Sequence, residues 1–295
     1  MAVVAKGLRP AGLAGVALLV TLTACGGGGG QKTKQAATRS SSTTEATATS
    51  TAAGAPSTAA GATTPTTAAK ARTPAPAQVN GGPAAAYQPP AGAKAATPPA
   101  PGTYHYDTSG SVSFGPSSST LPPVTTLAID PPAGASQHST RDLRDAHGNG
   151  SVSETTLQFQ PQGVLLEELK VTTNVSGYKD VEDFRPPSPA LIFPTGAHPG
   201  DHLEFDLSGS GTTVHVVIDV KSTERMVIGG QAVDTIVVHE NATFSGHITG
   251  STQGDNWVSP QYDLIVKEHS VTDATSAGFR AHSDQTSTLQ KLTPG

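Results

Sequence analysis

The 295-residue chain combines two parts of unlike composition and opposite charge. Residues 26–101 carry six basic residues against one acid, whereas residues 102–295 carry 10 basic residues against 22 acids, a net charge of −12. An acidic domain repels phosphate backbones, which excludes nucleic acid as a partner. The chain has one cysteine, so it forms no internal disulfide and its fold must depend on core packing.

The chain begins with the pattern of an export signal. Two basic residues, Lys6 and Arg9, precede the apolar run Ala11–Thr21 and a group of small residues that ends at Cys25. This order predicts a secretory signal peptide over residues 1–24, and the apolar run is too short to span a bilayer. The residues before the cysteine resemble the lipobox of bacterial lipoproteins: Leu22, Thr23 and Ala24.

The lipobox resemblance implies that Cys25 carries a lipid and becomes the first residue of the mature protein. We therefore expect a lipid-anchored protein on the extracytoplasmic face of the cell membrane. The alternative is an ordinary cleaved signal peptide in which the cysteine is incidental.

A disordered tether is predicted over residues 25–101. This segment is rich in Ala, Thr, Ser, Pro and Gly and has too few large apolar residues to form a core. Gly26–Gly30 is interpreted as a flexible joint next to the anchor. A phosphate-binding loop would need a flanking strand and helix, and neither is predicted there, so we expect no cofactor.

The β-rich extracytoplasmic domain is predicted over residues 102–295. Apolar and polar residues alternate first in Tyr104–Asp107, which we expect to turn at Thr108–Gly110 into a second short strand. A hairpin is predicted around His147–Gly150, because Asn-Gly accommodates the positive φ angles of a tight turn. Val164–Thr173 fits a helix or a strand, and its β-branched end favours a strand.

The clearest strands lie in the second half of the domain. Leu203–Leu207 and Val214–Val220 place their apolar residues on one face, and Thr243–Thr249 and Asn256–Ser259 are predicted as two further short strands. The fold class is therefore all-β: an antiparallel meander of about a dozen strands, curled into a barrel, half-barrel or two-layer sandwich.

Several strings of this half resemble a known group of proteins. Pro199-Gly200-Asp201 opens a strand, Val227–Thr235 forms a hairpin, and Asn256–Pro260 precedes the strand Leu264–Glu268. Their succession resembles the β-rich domains of actinobacterial-type envelope lipoproteins of the TapB-like group. Asp263 stands where that group has glycine, and the resemblance transfers no active site.

Candidate site residues are few. His198, Asp201 and His202 are spaced closely enough to ligate one metal ion, although Pro199-Gly200 equally explains the segment as a polar turn. His239-Glu240 begins like a zinc-protease motif, but Thr243 replaces the second histidine. Trp257 is expected to close one end of the core, and ligand stacking is the alternative.

No enzyme is predicted. The chain has no Gly-x-Ser-x-Gly elbow, and the domain is poor in the aromatic residues that would stack a sugar beside its carboxylates. The candidate calcium loop of Asp142, Asp145 and Asn149 departs from the required pattern. We expect non-catalytic binding of an envelope protein, wall polymer or apolar ligand. The alternatives are a carrier that holds a lipid inside the curled sheet and a metal-dependent hydrolase.

Overall fold

The computed structural model describes residues 87–89, 91–92, 96–115, 117–175, 178–276 and 278–295. The predicted signal peptide, Cys25 and most of the predicted tether lie outside the described residues. Within those ranges the chain forms β-strands and no helix. The strands are β1 Gly102–Phe114, β2 Ser117–Thr120, β3 Val124–Ile129, β4 Ser136–Asp142, β5 Gly150–Gln160, β6 Gly163–Val175, β7 Tyr178–Phe184, β8 Ala190–Pro194, β9 His202–Gly209, β10 Thr212–Ile228, β11 Gln231–Gly246, β12 Ile248–Ser259, β13 Leu264–Ser276 and β14 Phe279–Leu289.

One antiparallel sheet contains all of these strands. Its order is β7-β6-β5-β4-β3-β1-β14-β13-β12-β11-β10-β9, while β2 pairs with β1 and β8 pairs with β6. The two edges approach each other, since Arg185 and Ser208 exchange backbone hydrogen bonds of 3.0 Å in both directions. The sheet is therefore nearly closed into a barrel, and the predicted all-β class is confirmed.

Alternation along the strands separates the core from the surface. In β9, Leu203, Phe205 and Leu207 are buried, whereas Glu204 and Asp206 are exposed, as predicted. In β10 the predicted core face is also buried: Val214, Val216, Ile218 and Val220. Because successive side chains point to opposite faces, this pattern determines which residues the curled sheet encloses.

The buried apolar residues form two clusters. The larger one lines the interior along β6, β9, β10 and β11 and includes Leu169, Leu207 and Val216. The smaller one contains Tyr104 and Tyr106 of β1. Its members from the second half of the chain are Ile228, Val233, Leu264, Val266, Leu289 and Leu292. Together they supply the packing that a domain without a disulfide requires.

The predicted turn at Thr108–Gly110 is wrong. β1 continues through it, because Gly110 allows β14 to approach closely: a Cβ at this position would lie 2.0 Å from the Asp284 carbonyl oxygen. Thr108 Oγ1 shares hydrogen bonds of 2.8 Å with Thr125 and 3.2 Å with Ser287. Neighbouring strands therefore hold the segment extended.

Three other local expectations have different outcomes. Val164–Thr173 is strand throughout, within β6, as favoured. The predicted separate strand Thr243–Thr249 is wrong, because β11 extends to Gly246. In the hairpin, Gly148 and Gly150 adopt positive φ and Asn149 does not. The loop is instead organised by Asp145, whose Oδ1 accepts the backbone N–H groups of His147 and Asn149.

Candidate functional site

A cavity of about 190 Å³ lies inside the curled sheet. Its lining comes from β1, β3 to β6, β8 and β10 to β13, together with Pro99 and Asp263. Most of the lining is apolar and includes Leu157, Val164, Leu166, Phe193, Ile218 and Val238.

The depth of burial changes along the cavity. Leu166 and Val238 are buried, whereas Leu157, Phe193 and Val258 are half-buried. The half-buried residues therefore form a mouth, and the buried ones form an interior in which apolar groups are removed from water. Such a concave apolar site with a few polar groups is the usual form of a small-molecule pocket.

Four buried polar side chains of the cavity lining are here called the polar end: Arg141, Glu240, Asn256 and Glu268. Arg141 Nη2 donates a 2.9 Å hydrogen bond to Glu268 Oε1, which also accepts one of 2.9 Å from Gln285 Nε2. The Arg141 guanidinium lies 4.0 Å from the centroid of the Tyr106 ring. The pair of Arg141 and Glu268 is thus also contacted by Tyr106 and Gln285.

Glu240 is the most unusual member of the polar end. It is 2% exposed, and its Oε1 has no hydrogen-bond partner among the described residues. Burial raises the pKa of Glu240 well above its ordinary value, and the nearby Glu268 carboxylate raises it further. Both effects favour the protonated, uncharged form of this carboxyl group.

Asn256 lies close to Glu240 in the sheet. Its residue position pairs with Val238 in β11, while Glu240 pairs with Gly254 in β12, so the two side chains are diagonal neighbours on the inner face. Asn256 is 3% exposed, and its Oδ1 has no hydrogen-bond partner in the described part of the chain. Arg141 Nε is likewise unpartnered there.

Residues from the end of the predicted tether contact the cavity. Pro99 lines it, and the Pro99 carbonyl accepts a 3.0 Å hydrogen bond from Gln137 Nε2. The backbone N–H of Thr97 donates to Asp263 Oδ2 over 3.0 Å. Asp263 has a φ of 50°, a region of backbone conformation that favours glycine.

The candidate metal ligands do not converge on one point. Asp201 is buried and turns back to His198, with Oδ1 2.8 Å from His198 Nδ1 and Oδ2 3.0 Å from the His198 backbone N. His202 Nδ1 instead contacts Asp219 Oδ1 at 2.7 Å. Within the described ranges no group of three His, Cys, Asp or Glu residues is arranged to hold a metal ion.

Trp257 lies away from the cavity and packs against the smaller core cluster. The side chain is half-buried, and its Nε1 donates a 2.8 Å hydrogen bond to Glu224 Oε2. Lys267 Nζ lies 4.2 Å from the ring centroid. Glu224 and Lys267 thus engage this ring, while the cavity is lined by other residues.

Sequence reasoning missed the polar end, although one signal was present. Glu240 shares its alternation parity with Ile236, Val238, Ala242 and Phe244, all of which are buried. An acid within an apolar face of a strand indicates a buried carboxyl group. Arg141 carries no such signal, because its neighbours of the same parity in β4, Gln137 and Ser139, are polar.

No family model and no curated protein match the chain. It is similar to the crystal structure of a "putative lipoprotein" from Parabacteroides distasonis ATCC 8503, with 13% sequence identity and a TM-score of 0.36. The match covers 67% of this chain and 99% of that one. At that identity and TM-score the likeness carries no argument, and the TapB-like resemblance stays a prediction. No helix in the described part of the chain has the length and apolar character needed to cross a membrane.

Proposed function

We propose that this chain is an exported, lipid-anchored lipoprotein whose β domain carries a small, largely apolar molecule without chemically changing it. The observation that carries this proposal is the apolar cavity of about 190 Å³ inside the sheet. A filled interior would instead have favoured recognition of an envelope protein or wall polymer through the outer surface.

The cavity volume limits the ligand. An apolar cavity of about 150 Å³ is enough to bind benzene, whereas pockets for drug-sized molecules begin at about 300 Å³. The cavity in this domain therefore fits a molecule with a body of roughly six to eight carbon atoms, or one end of a longer chain whose remainder extends through the mouth. A whole membrane phospholipid would not fit within it.

The polar groups of the cavity favour binding over catalysis. The Glu268 carboxylate accepts hydrogen bonds from Arg141 and Gln285, and burial raises the pKa of Glu240, which favours its uncharged form. A hydrolase would need an activated nucleophile or a water held by a general base. A carboxylate that is already paired and a carboxyl group whose ionised form is disfavoured are both poorly suited to that role, so we propose a non-enzymatic carrier.

Native mass spectrometry of the full chain, purified from its own host, tests the proposal. We expect an added mass that is lost in Val238→Phe, because the larger ring fills the cavity beside a buried wall residue. Val227→Phe is the matched control, since Val227 is 71% exposed and lies outside the cavity. A clean apo mass together with failure to bind any added apolar compound would contradict the carrier and favour surface recognition.

The proposed anchor is tested by Cys25→Ser. Removing the thiol prevents lipid attachment, so we expect the protein to move from the membrane fraction to the soluble fraction, as followed by immunoblotting. Thr33→Ser, a substitution of similar size within the predicted tether, should leave the distribution unchanged. If the Cys25→Ser protein stayed in the membrane fraction, the lipid anchor would be refuted.

A further inference from the structure

The polar end of the cavity contains unsatisfied hydrogen-bonding atoms that the carrier function does not by itself explain. Glu240 Oε1, Asn256 Oδ1 and Arg141 Nε have no hydrogen-bond partner in the described residues, and all three side chains line the cavity. Buried polar atoms are nearly always hydrogen-bonded, and each exception requires an explanation. A bound molecule that supplies the missing partners is such an explanation.

The placement of these atoms limits where a ligand group would sit. Glu240 and Asn256 are diagonal neighbours on the inner faces of β11 and β12, positions about 7 to 8 Å apart along such a pair. One small polar group between the two side chains would reach both. The apolar wall with Leu166 and Phe193 then remains for the body of the ligand.

The charges of the polar end select against an ionic ligand. The charges of Arg141 and Glu268 offset each other, and Glu240 is uncharged when protonated. A ligand carboxylate would be buried beside Glu268, and a ligand ammonium would be buried beside Arg141. In both cases no unpaired charge of opposite sign would be available to the ligand. Burying a charge that has no partner is strongly unfavourable.

We propose, resting on the carrier function above, that the ligand is an uncharged apolar alcohol whose hydroxyl group is held between Glu240 and Asn256. A hydroxyl suits this place because it both donates and accepts. It donates to the Asn256 amide oxygen and accepts from the protonated Glu240 carboxyl group. The hydrocarbon body lies along Leu166, Val238 and Ile218 toward the mouth.

Calorimetric titration of the full chain with four probes of similar size tests this assignment: hexanol, heptane, hexylamine and hexanoate. We expect hexanol to bind at least about fivefold more tightly than heptane, the usual net effect of two hydrogen bonds, one donated and one accepted. Hexylamine and hexanoate should bind at least about tenfold more weakly than hexanol, because each buries an uncompensated charge.

Variants identify the side chains responsible. Asn256→Leu should reduce hexanol binding to the level of heptane and leave heptane binding equal or stronger, an outcome that general unfolding would not produce. Gln253→Leu is the matched control, because Gln253 is exposed on the same strand, and it should keep the preference for hexanol. Glu240→Leu should also remove the preference for hexanol, and Glu240→Gln should restore it relative to Glu240→Leu, because the amide can donate and accept.

The outcomes separate the two proposals. Equal binding of hexanol and heptane would overturn the alcohol assignment and leave the carrier intact. Tight binding of hexylamine that disappears in Glu240→Gln would also overturn it, since Glu240 would then act as an ionised partner for an amine. Failure of all four probes to bind would overturn the carrier and the assignment together.

Discussion

Replacing Arg141 by methionine tests the energetics of the polar end most directly. The side chains of Arg141 and Glu268 are only 9% and 1% exposed, and their nitrogen and oxygen atoms lie 2.9 Å apart. Methionine keeps most of the aliphatic volume and removes the charge, so Glu268 keeps only Gln285 as its charge-stabilising donor. Breaking one side of a buried pair costs about 3–5 kcal/mol of unfolding free energy.

The contact with Tyr106 adds to the expected loss. The Arg141 guanidinium lies 4.0 Å from the Tyr106 ring centroid, and a desolvated cation–π contact contributes about 2 kcal/mol. Contributions of this kind overlap, so we keep 3–5 kcal/mol as the expected total for Arg141→Met. The double variant Arg141→Met/Glu268→Met should recover most of that loss, because it leaves no buried charge.

Urea unfolding of the full chain at neutral pH, followed by tryptophan fluorescence, measures both variants. Arg144→Met is the matched control: Arg144 pairs with Asp142 at the surface, and such pairs contribute about 1 kcal/mol or less. A loss below about 1 kcal/mol in Arg141→Met would refute the buried-pair reasoning. So would a loss in the double variant equal to the sum of the losses in Arg141→Met and Glu268→Met.

Two other predictions concern the stability of the domain. The pKa of Glu240 is raised above its ordinary value of 4.5, so its contribution to stability is complete below that pH and is lost as pH rises toward the folded-state pKa. The unfolding free energy of the wild type should therefore fall relative to Glu240→Gln by up to about 1.4 kcal/mol per pH unit in that window. Parallel pH profiles in urea unfolding would contradict this. Gly209→Ala should lower stability by about 1–3 kcal/mol or more, because its Cβ would lie 1.7 Å from the Asp183 carbonyl oxygen where the edges of the sheet approach. Thermal unfolding measures this loss, and Ser208→Ala is the control at an exposed position. Equal unfolding midpoints for the two variants would contradict close packing between the edges of the sheet.

The sequence predicted the all-β class because strand alternation is a local property. Leu203, Phe205 and Leu207 lie at every second position, and this spacing fits a strand with one buried face. Strand limits were harder to predict, because they depend on neighbours distant in the chain. Thr108–Gly110 looks like a turn by composition, yet β3 and β14 hold it extended through Thr125, Ser287 and Asp284.

The polar end was less accessible to prediction than the strands. Parity identifies Glu240 as an inward residue, but the pairing of Arg141 with Glu268 joins positions 127 residues apart in the chain. The strands β3, β1 and β14 lie between β4 and β13 in the sheet, so those two side chains meet only because the sheet curls. Similarly, a cavity depends on how completely the inward-facing side chains fill the interior. The alternation of apolar and polar residues along a strand does not predict the volume that those side chains leave unfilled.

The cavity and its polar end both lower the stability of a domain that depends on packing alone. Side chains that line a space of about 190 Å³ lack packing partners on one side, so the domain is less stable than it would be with a filled core. A ligand that fills the space and pairs the polar atoms would restore part of this, by about 2.7 kcal/mol at a free concentration one hundred times its dissociation constant. Saturation with hexanol should therefore raise the unfolding midpoint of the wild type more than that of Val238→Phe, in which the ring already occupies the cavity. An equal rise in both proteins would place hexanol binding outside the cavity.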